Sequence, residues 1–213
     1  MSITNYGELK TAIASYANRS DLTSSIPDFV TLSETIFNYG HGKPEDPYFI
    51  PPLRTRDMEV GPTSISVASN LVPLPSDFLE AISVDTDASP SVNLTYKDPN
   101  WYSAFYPNGD STLPVYYTVK GGNILVTANI KLTYYQKIST VTTADATTNW
   151  LLTKSPGVYL HAGLFNLYVF MQDQDKAVSH RTLLLSYMAG LAQTDMFSRA
   201  GVFVRTSSMP SAG

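Results

Sequence analysis

The chain has no cysteine. That removes disulfides, thiol catalysis and thiolate metal sites at once. Charge is also scarce: 15% of the 213 residues are Asp, Glu, Lys or Arg, against about 25% in an ordinary globular protein. No strongly basic stretch appears, and the net charge is −4, so sequence-independent clamping of nucleic acid is not expected. The apolar run "VYLHAGLFNLYVFM" contains His161 and Asn166 and is shorter than the about 20 residues a membrane helix needs. The opening "MSITNYGELK" shows no basic segment leading into an apolar one, so no signal peptide is visible and synthesis in a cytoplasm is expected. Histidine is limited to His41, His161 and His180. None has a His or carboxylate partner at metal-ligand spacing, and no metal or cofactor is expected.

What the chain has is tyrosine, 14 residues of it, with plentiful Ser and Thr. A charge-poor surface of this kind suits a protein that covers itself with neighbours. It equally suits a β-rich domain, where Thr and Tyr are favoured. Charge is unevenly divided. Residues 1–149 hold 9 basic and 15 acidic side chains, and residues 150–213 hold 5 and 3. The C-terminal part is the side better suited to an acidic partner.

The first forty residues read as two helices. Asn5 caps the first, with Glu8 reaching back in capping-box fashion, and Leu9, Ile13, Tyr16 and Ala17 share one face. Ser25 caps the second, with Pro27 in its first turn. Ile26, Phe29, Val30, Ser33, Ile36 and Phe37 form its buried stripe, and Gly40 and Gly42 end it. "KPEDPYFIPP" carries four prolines in ten residues and reads as an extended surface loop. "LRTRDMEV" suits a short helix or a strand entry.

From about Ser64 the texture becomes strands: "SISV", "LVPLP", "FLEAISVDT", "VNLTYK", "VYYTVKG", "NILVT" and "IKLTYYQKI". Turn signals separate them, among them Ser69-Asn70 and Gly121-Gly122-Asn123. In the last strand Ile130, Leu132 and Tyr134 fall on one face. About seven strands suggest a small sandwich or open barrel. Helix then returns. Ser155 caps and Pro156 opens a helix apolar on nearly all sides, which must be buried on most of them. Asp173 or Asp175 caps a further helix in which Val178, Leu184, Tyr187, Met188 and Leu191 recur, and Gly190 there suggests close helix contact. The expected fold is α+β: a helical bundle built from both chain ends, an inserted antiparallel β domain, and an extended C-terminal tail. The divisions fall at 1–62 for the N-terminal helices and the proline-rich loop, 63–146 for the β domain, 147–200 for the closing helices and 201–213 for a flexible tail.

Chemistry is sparse. His161, in an apolar helix, reads as a packed histidine bonded to backbone, and His180 as lying on a solvated face. Asp85 and Asp87 flank one residue near a turn, where solvation is the simpler account. "GDST" and "KSPG" lack the nucleophile-elbow pattern. Glu8, Glu34, Glu45, Glu59 and Glu80 are scattered, with no pair nominated. The aromatic cluster Trp101, Tyr102, Phe105 and Tyr106 is the best binding feature. It fits sugar or base stacking, and equally a protein-contact loop. Trp150 and Leu151, with Leu152, fit a plug at the re-entry into the bundle, just ahead of Ser155 and Pro156.

Six stretches occur in order: "ITNYGELKTAIASYANRSDLTSSIPDFVTLSETIF", "PPLRTRDMEV", "LPSDFLEAISV", "LPVYYTVKGGNILV", "LTYYQKI" and "NWLLTKSPGVYLHAGL". On these the chain resembles the head-to-tail adaptor proteins of tailed bacteriophages, the tail-tubular-A-like and portal-accessory connectors, over roughly residues 3–195. The resemblance implies a structural virion protein at the head–tail junction, or neck. It implies a homo-oligomeric ring of twelve copies under the portal protein, extending a passive channel for genomic DNA and offering a platform to tail or nozzle proteins. By the same resemblance the C-terminal segment, with Val202, Phe203, Val204, Arg205 and Met209, reaches the portal. No catalytic residue is implied. Two other readings stand beside it: a carbohydrate-binding module using Trp101 and its neighbours, and a cell-wall lytic accessory, which would need two carboxylates about 5–10 Å apart.

Overall fold

Asn5 starts the first helix, α1 (Tyr6–Ala17), from an extended backbone, and its Oδ1 accepts the Glu8 N–H at 2.9 Å. The Glu8 carboxylate does not close the expected box on Asn5. It takes the Thr4 N–H at 2.7 Å and the Thr4 hydroxyl at 2.8 Å. Leu9, Ala12 and Ile13 are buried, whereas Tyr16 is 60% exposed, because the helix ends one residue later and its last turn is uncovered. The second helix, α2 (Ile26–Tyr39), runs on from a 3-10 turn at Thr23–Ser25. Ser25 is already helical and makes no side-chain cap, unlike the expectation from sequence. The stripe Ile26, Phe29, Val30, Ser33, Ile36 and Phe37 is buried as read.

These coordinates form a computed structural model that describes residues 3–106 and 115–199. The chain divides into two units, with breaks after Asp57 and after Lys137. The first unit gathers the segments on either side of the breaks, and the second is the stretch between them. The strand unit thus opens at Met58 and closes at Lys137, where the sequence reading placed 63–146.

In the first unit the proline-rich segment is not simply a surface loop. Residues 43–47 are exposed, but His41 pairs with Ile50 as an antiparallel bridge and Ile50 is fully buried. The Leu53 N–H donates to the Phe37 carbonyl at 2.8 Å, which draws a second apolar foot inward. The returning chain forms a short helix, α4 (Trp150–Lys154), then α5 (Pro156–Phe170) and α6 (Gln174–Arg199). Helix α5 contacts α1, α2, α4 and α6, which is why it is apolar on every side. A Cβ at Gly163 would come within 2.6 Å of Ile13 Cδ1, and one at Gly157 within 2.7 Å of the Tyr187 ring. The close contacts therefore lie on α5. At Gly190 of α6, where close contact was expected, a Cβ would meet nothing within 4 Å. Asp173 caps α6, accepting the Lys176 N–H at 3.2 Å. Only one face of this 26-residue helix is covered, through Ala177, Leu184, Met188 and Leu191. Val178 and Tyr187, which recur with these residues at helical spacing in the sequence, lie off that face and are 43% and 45% exposed.

The second unit is a small two-sheet sandwich. Strands β1 (Glu59–Ile65), β3 (Phe78–Thr86) and β7 (Ile130–Gln136) form one antiparallel sheet in the order β1-β7-β3. The other sheet runs β2 (Leu71–Pro73), β6 (Asn123–Leu125), β5 (Tyr116–Lys120), β4 (Thr95–Tyr96). One pair departs from the expected antiparallel pattern: β4 and β5 run parallel. A short helix, α3 (Pro99–Phe105), lies on the crossover such a pair requires. "LRTRDMEV" supplies both of its options, a 3-10 turn at Arg56–Met58 and then the start of β1. Val72, Val84, Leu94, Ile124, Val126, Ile130, Leu132 and Tyr134 make the core. Ser69 (φ 53°) and Asn70 (φ 62°) turn the chain into β2, and Gly121 (φ 58°) and Gly122 (φ 75°) close the β5–β6 hairpin, both as two-residue loops with left-handed backbone. Gly61 (φ 117°) sits where the β1 register shifts, and a Cβ there would collide with the Leu132 carbonyl.

Candidate functional site

The densest polar site is buried in the helical unit. Glu34 on α2 is only 7% exposed. Its Oε1 accepts the Val141 N–H at 2.7 Å and the Tyr159 hydroxyl at 3.3 Å. Asn149 donates to the Tyr159 hydroxyl at 2.7 Å and to the Ser139 carbonyl at 2.6 Å, while its Oδ1 caps α4 through the Leu152 N–H at 2.9 Å. Asn38, one turn on from Glu34, accepts the Ile138 N–H at 3.0 Å. Burial drives the Glu34 carboxyl above its ordinary range, against the hydrogen bonds that favour its charged form. Burial likewise holds the Tyr159 phenol far above its ordinary value. The donors on Glu34 are one backbone N–H, from Val141, and the side chains of Thr140 and Tyr159. The arrangement fastens the chain that returns from β7 onto α2 and α5. Sequence reading left Glu34 among scattered glutamates, because Val141, Asn149 and Tyr159 lie more than a hundred residues away.

The aromatic cluster splits in two. Asp98 caps α3 through the Asn100 N–H at 2.9 Å. Trp101 (39%) and Phe105 (56%) stand at the surface, and Tyr106 is half-buried. Tyr102 turns inward, is 4% exposed, and burial pushes its hydroxyl up to about 12. Trp101 and Phe105 stack at 4.7 Å and 11°, Tyr116 meets Trp101 edge-on at 4.9 Å, and the Lys97 ammonium sits 4.9 Å above the Trp101 ring. Phe105 and the Lys97 ammonium thus occupy part of the indole surface that a sugar would stack on.

The junction residues fall as follows. Leu151 and Leu152 are fully buried, while Trp150 is only partly so. Ser155 ends α4, its N–H donating to the Leu151 carbonyl at 2.8 Å, and its side chain makes no cap on α5. Pro156 occupies the first turn of α5. The histidine expectations need correcting. His161 is packed as read, at 8% exposed, but among the described residues it bonds no backbone group: its Nδ1 lies 3.1 Å from the Nδ1 of His180, which is half-buried between helices and not on a solvated face. Asp85 is held by Ser83 and Asn93 at 3.0 Å each, and Asp87 pairs with Lys131 at 3.1 Å. Among the described residues no three His, Asp or Glu side chains converge as metal ligands, and no helix is long and apolar enough to cross a membrane. Val202, Phe203, Val204, Arg205 and Met209 lie outside the described residues.

Large apolar side chains stand uncovered on the helices: Tyr16 at 60%, Leu32 at 51%, Tyr39 and Phe170 at 61%, Met196 at 69% and Phe197 at 61%. With a strand sandwich inserted in a bundle made from both chain ends, they define an α+β protein whose helices carry apolar surface open to contact. The family model described as SU10 adaptor protein matches residues 4–205, and the chain belongs to that family. It is therefore a bacteriophage structural adaptor, a class whose partners are portal and tail proteins. No curated protein matches the chain.

Proposed function

We propose that the chain is the subunit of a ring, of twelve copies, that sits beneath the portal at the neck of the virion, extends the DNA channel and carries the tail. The observation that carries this reading is the adaptor-family match across residues 4–205. Three physical features support it. The exposed apolar side chains on α1, α2, α5 and α6 are what neighbouring copies would cover. The low charge content suits interface cores, from which charged residues are depleted. A net acidic chain lets DNA pass without gripping it. In this reading the segment 201–213, with Val202, Phe203, Val204, Arg205 and Met209, docks on the portal. The Trp101 and Phe105 surface meets a protein neighbour, and the chain performs no catalysis. Deleting residues 201–213 tests the assignment of the tail: portal binding in a pull-down is lost while the circular dichroism spectrum and melting temperature hold. Undiminished portal binding by the truncated chain contradicts it.

A further inference from the structure

His161 on α5 and His180 on α6 meet across the seam of the two helices. Their Nδ1 atoms are 3.1 Å apart, their ring centroids 5.3 Å apart and their planes 24° apart. The centroid separation is the N···N distance plus one imidazole radius at each end. The two nitrogens therefore face each other along the line of centres. That is the geometry of a single N–H shared between two rings. It is not the geometry of a chelate, since a cation bound to both at about 2.0–2.1 Å has no room on a straight line between them. Among the described residues no third ligand joins them. Tyr168 lies parallel to His180 at 5.3 Å and Tyr187 within 28° of His161 at 5.4 Å, so each imidazole has a tyrosine ring beside it on the seam.

Among the described residues no carboxylate acts on either ring. On α6, Lys176 sits over the Tyr168 ring and pairs with Asp173, and Arg181 donates its Nε–H to the Phe49 carbonyl. From the loop after α2, His41 packs on Phe165. On α2, Glu34 is engaged with Val141 and Tyr159. On α1, Lys10 pairs with Asp145, and on α4, Lys154 pairs with Asp57.

We propose that the His161–His180 pair is a proton-sensitive latch on the α5–α6 seam, closed while the two rings share one Nδ1 hydrogen and released when both become imidazolium. A neutral imidazole offers one donor and one acceptor, but an imidazolium offers only donors. Two imidazolium rings at 3.1 Å present hydrogen to hydrogen in a half-buried space. Burial lowers the proton affinity of both rings, and for His180 the neighbouring His161 adds to it. With folded values below the ordinary 6.5, the unfolded chain binds more protons as the pH falls. The latch thus stabilises fully above about 6.5 and is lost on acidification through the folded values.

Nitrogen–proton correlation NMR on the whole protein, with histidine-selective labelling, reads the tautomers directly. At pH 7.5 the latch requires one of the pair as the Nδ1–H tautomer and the other as Nε2–H, with both titrating below 6.5. Two Nε2–H tautomers, or two independent titrations at ordinary values, overturn it. In parallel, denaturation at pH 7 and pH 5 compares the wild type with His180→Phe. Between pH 7 and pH 5 the wild-type folding equilibrium constant falls further than that of the variant, because only the wild type loses the shared hydrogen. Equal acid losses in both proteins likewise overturn the proposal.

Discussion

Glu34 shows at the scale of one residue how this molecule uses polarity. Among the described residues no cation pairs with its carboxylate, whose partners are the Val141 N–H, the Tyr159 hydroxyl and the Thr140 side chain. With a folded pKa raised by burial, its contribution is present below the ordinary 4.5 and fades as pH rises through the folded value. Glu34→Gln keeps an acceptor for Val141 and carries no charge. The prediction is that the stability of Glu34→Gln relative to wild type rises between pH 4.5 and pH 8, measured by urea denaturation. A constant difference across that range contradicts the assignment. Glu34→Ala leaves the Val141 N–H without its partner and costs about 1–3 kcal/mol. None of this was legible in the sequence. A glutamate in "TLSETIF" looks like any solvated helix residue until the distant segment 138–149 folds over it. The same holds for His161 and His180. Their spacing matches no motif, because the antiparallel turn between α5 and α6 sets their meeting.

Among the elements, patterns with local causes were legible and those with distant causes were not. The buried stripe of α2 and the alternation along β7 follow from periodicity alone. The Gly121-Gly122 hairpin follows from turn chemistry. The helix α4 was read as a plug, because five residues between Asn149 and Ser155 are too few to show a period. Its burial falls on Leu151 and Leu152. Leu151→Ala is therefore predicted to cost about 2–5 kcal/mol, and more than Trp150→Ala, whose ring is only partly covered. Thermal melts of the two variants check the order, and the reverse order contradicts it. Glycine content gave no clue to which glycine is crowded. Gly190 lies open within α6, so Gly190→Ala should raise stability by about 1 kcal/mol. Gly163→Ala should lower it, because the new methyl meets Ile13 at 2.6 Å. Chemical denaturation of this pair compares α5 with α6. A stabilised Gly163→Ala would show that the α1–α5 crossing is looser than described.

For the whole molecule, the order of helices, strands and helices along the chain was enough to read an α+β protein with an inserted strand unit. The exact limits of that unit were not legible. They are set where Ile138 and Val141 bond to Asn38 and Glu34, contacts that leave no mark on composition. The direction of β4 was hidden for a similar reason: a two-residue strand carries no pattern. The adaptor family covers both units, and in the proposed ring the exposed apolar side chains of the helices are surfaces for copies or partners. The central claim is that the subunits close into a ring on the portal. Negative-stain microscopy of the purified chain, alone and mixed with portal rings, tests it most directly. The account predicts closed rings with a central hole, either free or stacked on the portal. A chain that remains monomeric at high concentration and leaves the portal rings bare would contradict it.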